Sequence, residues 1–204
     1  MSDDDLQESV AAKTHSKSAI AQLLENNIQN LPYFEQNILY YGPLYMGMNS
    51  ALSGIFTNSL YRRVLNITQG SLASGLPMAV FPFVSTCVFY SAAVTAPLLS
   101  GEPQCPGCVL LRGALVGVVG GLYPFMVALP LNMSLACRFN TAPMPEKGNR
   151  LRFCIDLSRP VMRKAKPALI LQVFFSMFLS SRTFESYLKL CEVALGSRNA
   201  GLQN

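Results

Sequence analysis

Charge is scarce in this chain, and its absence narrows the field before any motif is read. Only 13% of the 204 residues are Asp, Glu, Lys or Arg, while 50% are hydrophobic. An ordinary soluble domain carries roughly 25% charged residues. A surface facing water on all sides is therefore excluded, and so is disorder, which needs low hydrophobicity and high charge. There is one histidine, His15, in a polar stretch near the start. No Ser/His/Asp or Cys/His catalytic constellation can be built around it. The glycines are not followed by Lys-Ser or Lys-Thr, so no phosphate-binding loop is encoded.

The missing charge is missing in blocks. None occurs over 36–61 (26 residues), 64–101 (38), 113–137 (25) or 167–181 (15), together 104 residues. A helix needs roughly 20 apolar residues to cross a hydrocarbon layer. The pattern predicts an all-α, polytopic membrane bundle of about four transmembrane helices with amphipathic terminal helices. The predicted organisation is a polar tail with an amphipathic helix at 1–35, a four-span membrane domain at 36–190 and a short polar tail at 191–204. The third and fourth blocks contain no acid, nor do the first two, which argues against ion- or proton-coupled transport.

Span one is expected at 39–61, stopped by Arg62 and Arg63. Gly47 and Ala51 lie four apart, as do Ser50 and Gly54, a spacing that lets helices approach closely in lipid. Span two is expected at 72–96, kinked or started late by Pro77 and Pro82 and ended by Pro97. Span three, at 113–135, carries Gly113, Gly117 and Gly121 on one stripe. That predicts a tight contact with span one or with a partner helix, and Pro124 and Pro130 should bend or break it. Span four is centred on 167–181, where 15 residues make about 22 Å of helix. It crosses if Lys164, Lys166 and Arg182 extend to the interfaces. Asn49, Asn58, Asn132 and Gln172 are the intramembrane polar groups, suited to helix-to-helix hydrogen bonds.

The acidic start, Met1-Ser-Asp-Asp-Asp, is neither a secretory signal nor an Arg-rich presequence, so mitochondrial import would rest on internal information. Ile20, Leu23, Leu24, Ile28 and Leu31 follow helical spacing between a Ser18 cap and Pro32. Phe184, Tyr187, Leu188, Cys191 and Leu195 form a second apolar stripe. Eight of the sixteen basic residues fall in 138–166: Arg138, Lys147, Arg150, Arg152, Arg159, Arg163, Lys164 and Lys166. With Arg62 and Arg63, they put connections one and three on the positive-inside face. Arg150, Arg152, Arg159, Arg163, Lys164 and Lys166 suit either anionic lipid heads, such as cardiolipin, or orientation alone. No aromatic-interleaved basic patch points to nucleic acid.

Of six cysteines, only Cys105 and Cys108 are close, in Cys-Pro-Gly-Cys. A zinc site wants four ligands, and a thioredoxin-like role wants a βαβ setting. A loop disulfide or two plain thiols in a turn remain. No cofactor is expected.

Three strings then matter together: GMNSALSGIFTNSLYRRVLN at 47–66, GLPMAVFP at 75–82 and GGLYPFMVALP at 120–130, followed by PMPEKG at 143–148. In order and spacing the sequence resembles the transmembrane protein 126 family from about residue 30 to 190. The GLPMA string and the Cys-x-x-Cys loop bring it nearer the A member than the B member. The resemblance implies a multi-pass protein of the mitochondrial inner membrane. It implies a non-catalytic assembly factor, or scaffold, for the membrane arm of respiratory complex I, at the distal proton-pumping module. Its implied partners are membrane-arm subunits and other assembly factors, and it carries no catalytic residues. A small carrier or channel is the competing reading, and a membrane redox protein using Cys105 and Cys108 a third.

Overall fold

A computed structural model describes residues 22–100, 104–139, 141 and 150–201, with the side chains of 150, 151 and 197–201 left aside. The Ser18 cap, Ile20, His15, Lys147, the side chain of Arg150 and the end of the C-terminal tail lie outside the described residues. Everything described is helix or connection, with no strand among the described residues. A short helix, α1 (22–27), runs into a 3-10 turn at Ile28–Asn30. Four long helices follow: α2 (Tyr33–Val64), α3 (Ser71–Tyr90, continuing to Leu99), α4 (Pro106–Phe139) and α5 (Arg150–Gly201). They pack as an up-and-down helical bundle.

Three helices of the described residues are long and apolar enough to cross a membrane by length and composition: Ser71–Leu99, Pro106–Phe139 and Arg152–Gly196. The expected first span lies in α2, which has the length, at 32 residues. Its Tyr, Asn, Ser and Gly content makes it less apolar than the other three.

The prolines leave the helices unbroken. Pro77 and Pro82 sit inside an α3 that begins at Ser71, and Pro124 and Pro130 sit inside an uninterrupted α4. Pro97 does not end span two. Its ring would strike the carbonyl of Ala93, one turn back. The chain widens into a π-turn at Ser91–Thr95, which contains Ala93, and then resumes as helix over Ala96–Leu99. A π-turn is one of the recognised ways a helix absorbs such a clash. The fourth segment is not short either. Its apolar core belongs to a 52-residue helix, about 78 Å long at 1.5 Å per residue.

The α2–α3 turn takes six residues, with Asn66 and Gly70 both in the left-handed region (φ 52 and 66). Arg62 closes it from within. Its guanidinium donates to the Gly70 carbonyl (3.2 Å), the Ser74 hydroxyl (3.0 Å) and the Gln69 carbonyl (3.0 Å). Arg62 thus satisfies turn carbonyls as well as adding positive charge at that end. Leu65 and Ile67 of this turn pack on Ala136 of α4 and Leu157 of α5, so the first and third connections share one end of the bundle. At the other end Leu24, Ile28 and Leu31 pack on Leu39 and Leu190. The amphipathic N-terminal helix therefore lies on its own bundle.

Inside the first-named end, Asn132 of α4 donates to the Asn58 side-chain oxygen of α2 (2.7 Å) and to the Ala128 carbonyl (2.9 Å). Asn58 donates onward to Ser74 of α3 (3.2 Å), which also receives Arg62. Three helices and a turn thus share one relay. Asn132→Ala is expected to destabilise the bundle by about 1–2 kcal/mol, because the Asn58 oxygen loses a buried donor. Titration of helicity with SDS in mixed micelles, at fixed protein concentration, measures the change.

Candidate functional site

The described residues hold no group of three or more His, Cys, Asp or Glu side chains that could bind a metal ion. The features that stand out are contacts between helices, a cysteine loop and a basic helix face.

The glycine stripe of α4 faces α5. A Cβ placed on Gly117 would lie 2.8 Å from the Val173 Cα and 2.9 Å from the Ser176 Cβ. One on Gly113 would lie 2.6 Å from the Ser180 Cβ, and one on Gly121 3.0 Å from a Leu169 methyl. The stripe thus meets span four, where span one or a partner helix was expected. The reason is on α5, whose inward face is Gln172, Ser176, Ser180, Thr183, Ser186 and Leu190, all buried. Four of these six are Ser or Thr, small enough to admit a glycine backbone. Ser176 completes the contact by donating to the Gly113 carbonyl at 2.6 Å. Of the expected C-terminal stripe, Phe184, Tyr187 and Cys191 pack half-buried against the core, whereas Leu188 and Leu195 are exposed.

Gly47 of α2 meets α3, where an added Cβ would lie 3.0 Å from the Phe83 carbonyl. Ala51 is half-buried beside it. Two further small residues make close contacts: Gly54, marked in the sequence by its spacing from Ser50, and Gly120, which the expected stripe left out. An added Cβ on Gly54 would overlap the Met78 carbonyl, and one on Gly120 would lie 3.0 Å from the Thr86 hydroxyl. Around Gly120 three helices meet: Thr86 of α3 donates to Ser50 of α2 (2.9 Å), which donates to the Gly120 carbonyl (3.0 Å). The Ser50/Gly54 spacing and the run Gly120–Gly121 were the available signals.

At the end of the bundle away from the first and third connections, Lys189 of α5 forms an ion pair with Glu35 of α2. Arg182 stacks over the Phe34 ring, 5.6 Å from its centroid, and pairs with Glu185 at 2.6 Å. The Lys189 hydrogen bond holds the Glu35 carboxyl below its ordinary range, against a smaller opposing effect of burial. Glu35 and Lys189 are 154 residues apart, so no local pattern could pair them.

Cys105 and Cys108 are joined in a disulfide at the start of α4, and Cys87, Cys137, Cys154 and Cys191 are free. On α5, Arg152, Arg159, Arg163, Lys164 and Lys166 are exposed. Arg159 borders an apolar groove of about 330 Å³ formed with Leu129, Ile155 and Met162.

Two outcomes follow from these contacts. Gly117→Ala should destabilise the protein by about 1–3 kcal/mol through overpacking. Gly75→Ala, where an added Cβ meets nothing within 4 Å, should be neutral or slightly stabilising. Thermal unfolding in detergent, followed by circular dichroism, compares the two. The same assay reads the ion pair. A depressed carboxylate pKa contributes stability above the ordinary glutamate value of 4.5, which is lost as pH falls through the lower folded value. The Tm difference between the wild type and Glu35→Gln should therefore be full at neutral pH and close on acidification below that value.

Comparison with known proteins places these features. The family model described as Transmembrane protein 126 matches residues 18–196. The chain is 41% identical over 187 residues to mouse (Mus musculus) Transmembrane protein 126A, covering 91% of this chain and 95% of that protein. It is 40% identical over 184 residues to the human (Homo sapiens) Transmembrane protein 126A, covering 89% and 94%. It is 31% identical over 160 residues to the human protein named Complex I assembly factor TMEM126B, mitochondrial, covering 78% and 68%. No solved structure matches the chain. Glycines seated against a serine face, helices apolar enough for lipid and this similarity along most of its length agree: the chain belongs to the transmembrane protein 126 family.

Proposed function

We propose that this protein is a non-catalytic assembly factor for the membrane arm of mitochondrial respiratory complex I, acting at the distal proton-pumping module. It works as a multi-pass scaffold in the inner mitochondrial membrane. The observation that carries this reading is the similarity to relatives named mitochondrial complex I assembly factors. The bundle's surface suits the task. Phe81, Val84, Val88, Leu115, Phe174 and Phe178 are exposed on three different helices, giving partly built membrane subunits an apolar flank to dock on. Polar groups of the interior tie the helices to one another, as in the Asn132–Asn58–Ser74 relay, which suits a scaffold of fixed shape.

Its partners in this reading are membrane-arm subunits and other assembly factors. The exposed Arg152, Arg159, Arg163, Lys164 and Lys166 would lie against anionic lipid heads, cardiolipin among them. The glycines of the α4 stripe hold the scaffold's own shape.

Native-gel mass spectrometry of mitochondria with and without the protein tests the proposal. The expected result is co-migration with membrane-arm intermediates, and loss of complex I on deletion with other respiratory complexes spared. Normal complex I in its absence would overturn it. Solute flux into proteoliposomes containing the purified protein would favour the carrier reading instead.

A further inference from the structure

The Cys105–Cys108 disulfide sits where a reactive pair would sit, and its position explains little as a structural brace. It closes a loop across a sequence separation of three, and the constraint a disulfide places on the unfolded chain shrinks with loop length. All four residues of Cys-Pro-Gly-Cys are exposed, so the loop is within reach of a thiol from outside the bundle. The pair heads the 34-residue helix α4. The Cys108 backbone N–H donates to the Cys105 sulfur at 3.1 Å, putting that sulfur in the place of an N-cap acceptor. A thiolate there gains from the helix terminus and from that N–H. One turn further on, the Arg112 guanidinium is drawn back toward the loop by a 3.0 Å bond to the Gln104 side chain. The cation thus stands beside the residue that precedes Cys105.

We propose that Cys105 and Cys108 form a thiol–disulfide exchange site, with glutathione or a thiol of a docked protein as co-substrate. In the exchange with glutathione, a glutathione thiolate attacks the Cys108 sulfur and the Cys105–Cys108 bond breaks. Cys105 leaves as a thiolate, keeping the Cys108 N–H as its donor. A second glutathione thiolate attacks the glutathione sulfur of the mixed disulfide, releasing Cys108 and forming oxidised glutathione. Two electrons pass to the protein, and two protons follow when both thiols are neutralised. Arg112 is a positioning residue that favours the reduced form by stabilising the departing thiolate. The exchange is independent of the assembly role.

The test equilibrates the full-length protein in detergent with glutathione buffers of graded composition. Samples are acid-quenched and tagged with a maleimide polymer after denaturation. The chain has six cysteines, so the oxidised form takes four tags and the reduced form six. The expected result is a transition from four to six within the glutathione series, as for labile exposed disulfides. Arg112→Gln should require about two- to fivefold more reducing conditions to reach the midpoint, while Arg112→Lys, which keeps the charge, should restore it. Four tags at every composition would make the disulfide a structural brace, and six at every composition would make the thiols inert. Either result overturns the proposal, as does an unchanged midpoint in Arg112→Gln.

Discussion

The bundle depends on how closely α4 can approach α5 at Gly117. In lipid there is no hydrophobic gain from burying one apolar helix against another, because the tails are as apolar as leucine. Association has to come from dispersion across a close contact and from hydrogen bonds that shielded backbones can reach. Both need small residues. With hydrogen in place of a side chain, Gly113 and Gly117 bring the α4 backbone against Ser176, Ser180 and Val173. The Ser176 hydroxyl then reaches the Gly113 carbonyl, a bond that a larger residue at 113 would hold out of range. One dimension, the thickness of a missing methyl group, sets both terms.

From that contact follows the distribution of side chains. The α5 face toward the bundle is Gln172, Ser176, Ser180, Thr183 and Ser186, and all five are buried. The faces toward the surroundings carry Leu171, Phe174 and Phe178, all exposed. A water-soluble helix sorts these groups the other way. The same sorting recurs where Ser50, Thr86 and the Gly120 carbonyl meet, and at Tyr90, whose hydroxyl pairs with Thr183 at 3.0 Å. Each such bond is worth only about 0.6 kcal/mol on average in membrane interiors. Their value lies in register: Ser50, Thr86 and Gly120 can meet at only one rotation of three helices.

Much of this is legible in the sequence because charge exclusion is a one-dimensional signal. The blocks 36–61 and 113–137 fall within α2 and α4, and α3 falls within the block 64–101, while Gly113, Gly117 and Gly121 announce a close contact by spacing alone. What the spacing lacks is the identity of the other side, since glycine accepts any narrow neighbour. The serine face of α5 was a second signal, hidden because Ser176 and Ser180 read as ordinary polar interruptions of an apolar run. Proline does not break or end these helices, at Pro124 or at Pro97, for a physical reason. In a helix packed on several sides, losing one backbone bond at Pro124 or Pro97 is absorbed by neighbours or by a wider turn, whereas the sequence rule describes an unsupported helix. The Glu35–Lys189 pair was invisible for want of any local relation between its members.

The division of labour between interior and surface bears on how such a protein could recognise others. A glycine stripe is usually taken as an offer to a partner helix, but here its close contacts are filled by the protein's own α5. What remains outward is large and apolar, Phe81, Val88, Phe174 and Phe178 among it, together with the basic face of the α5 start. Apolar side chains of this kind give broad contact with few directional bonds and so little selectivity. Selectivity then has to come from the places where polar groups break the apolar girdle. Those places are the two ends: the Glu35–Lys189 and Arg182–Phe34 cluster on one, and the Arg62 turn beside the α5 cations on the other. In the proposed role, a scaffold built this way would hold a client loosely by its flank and identify it at the two ends of the bundle.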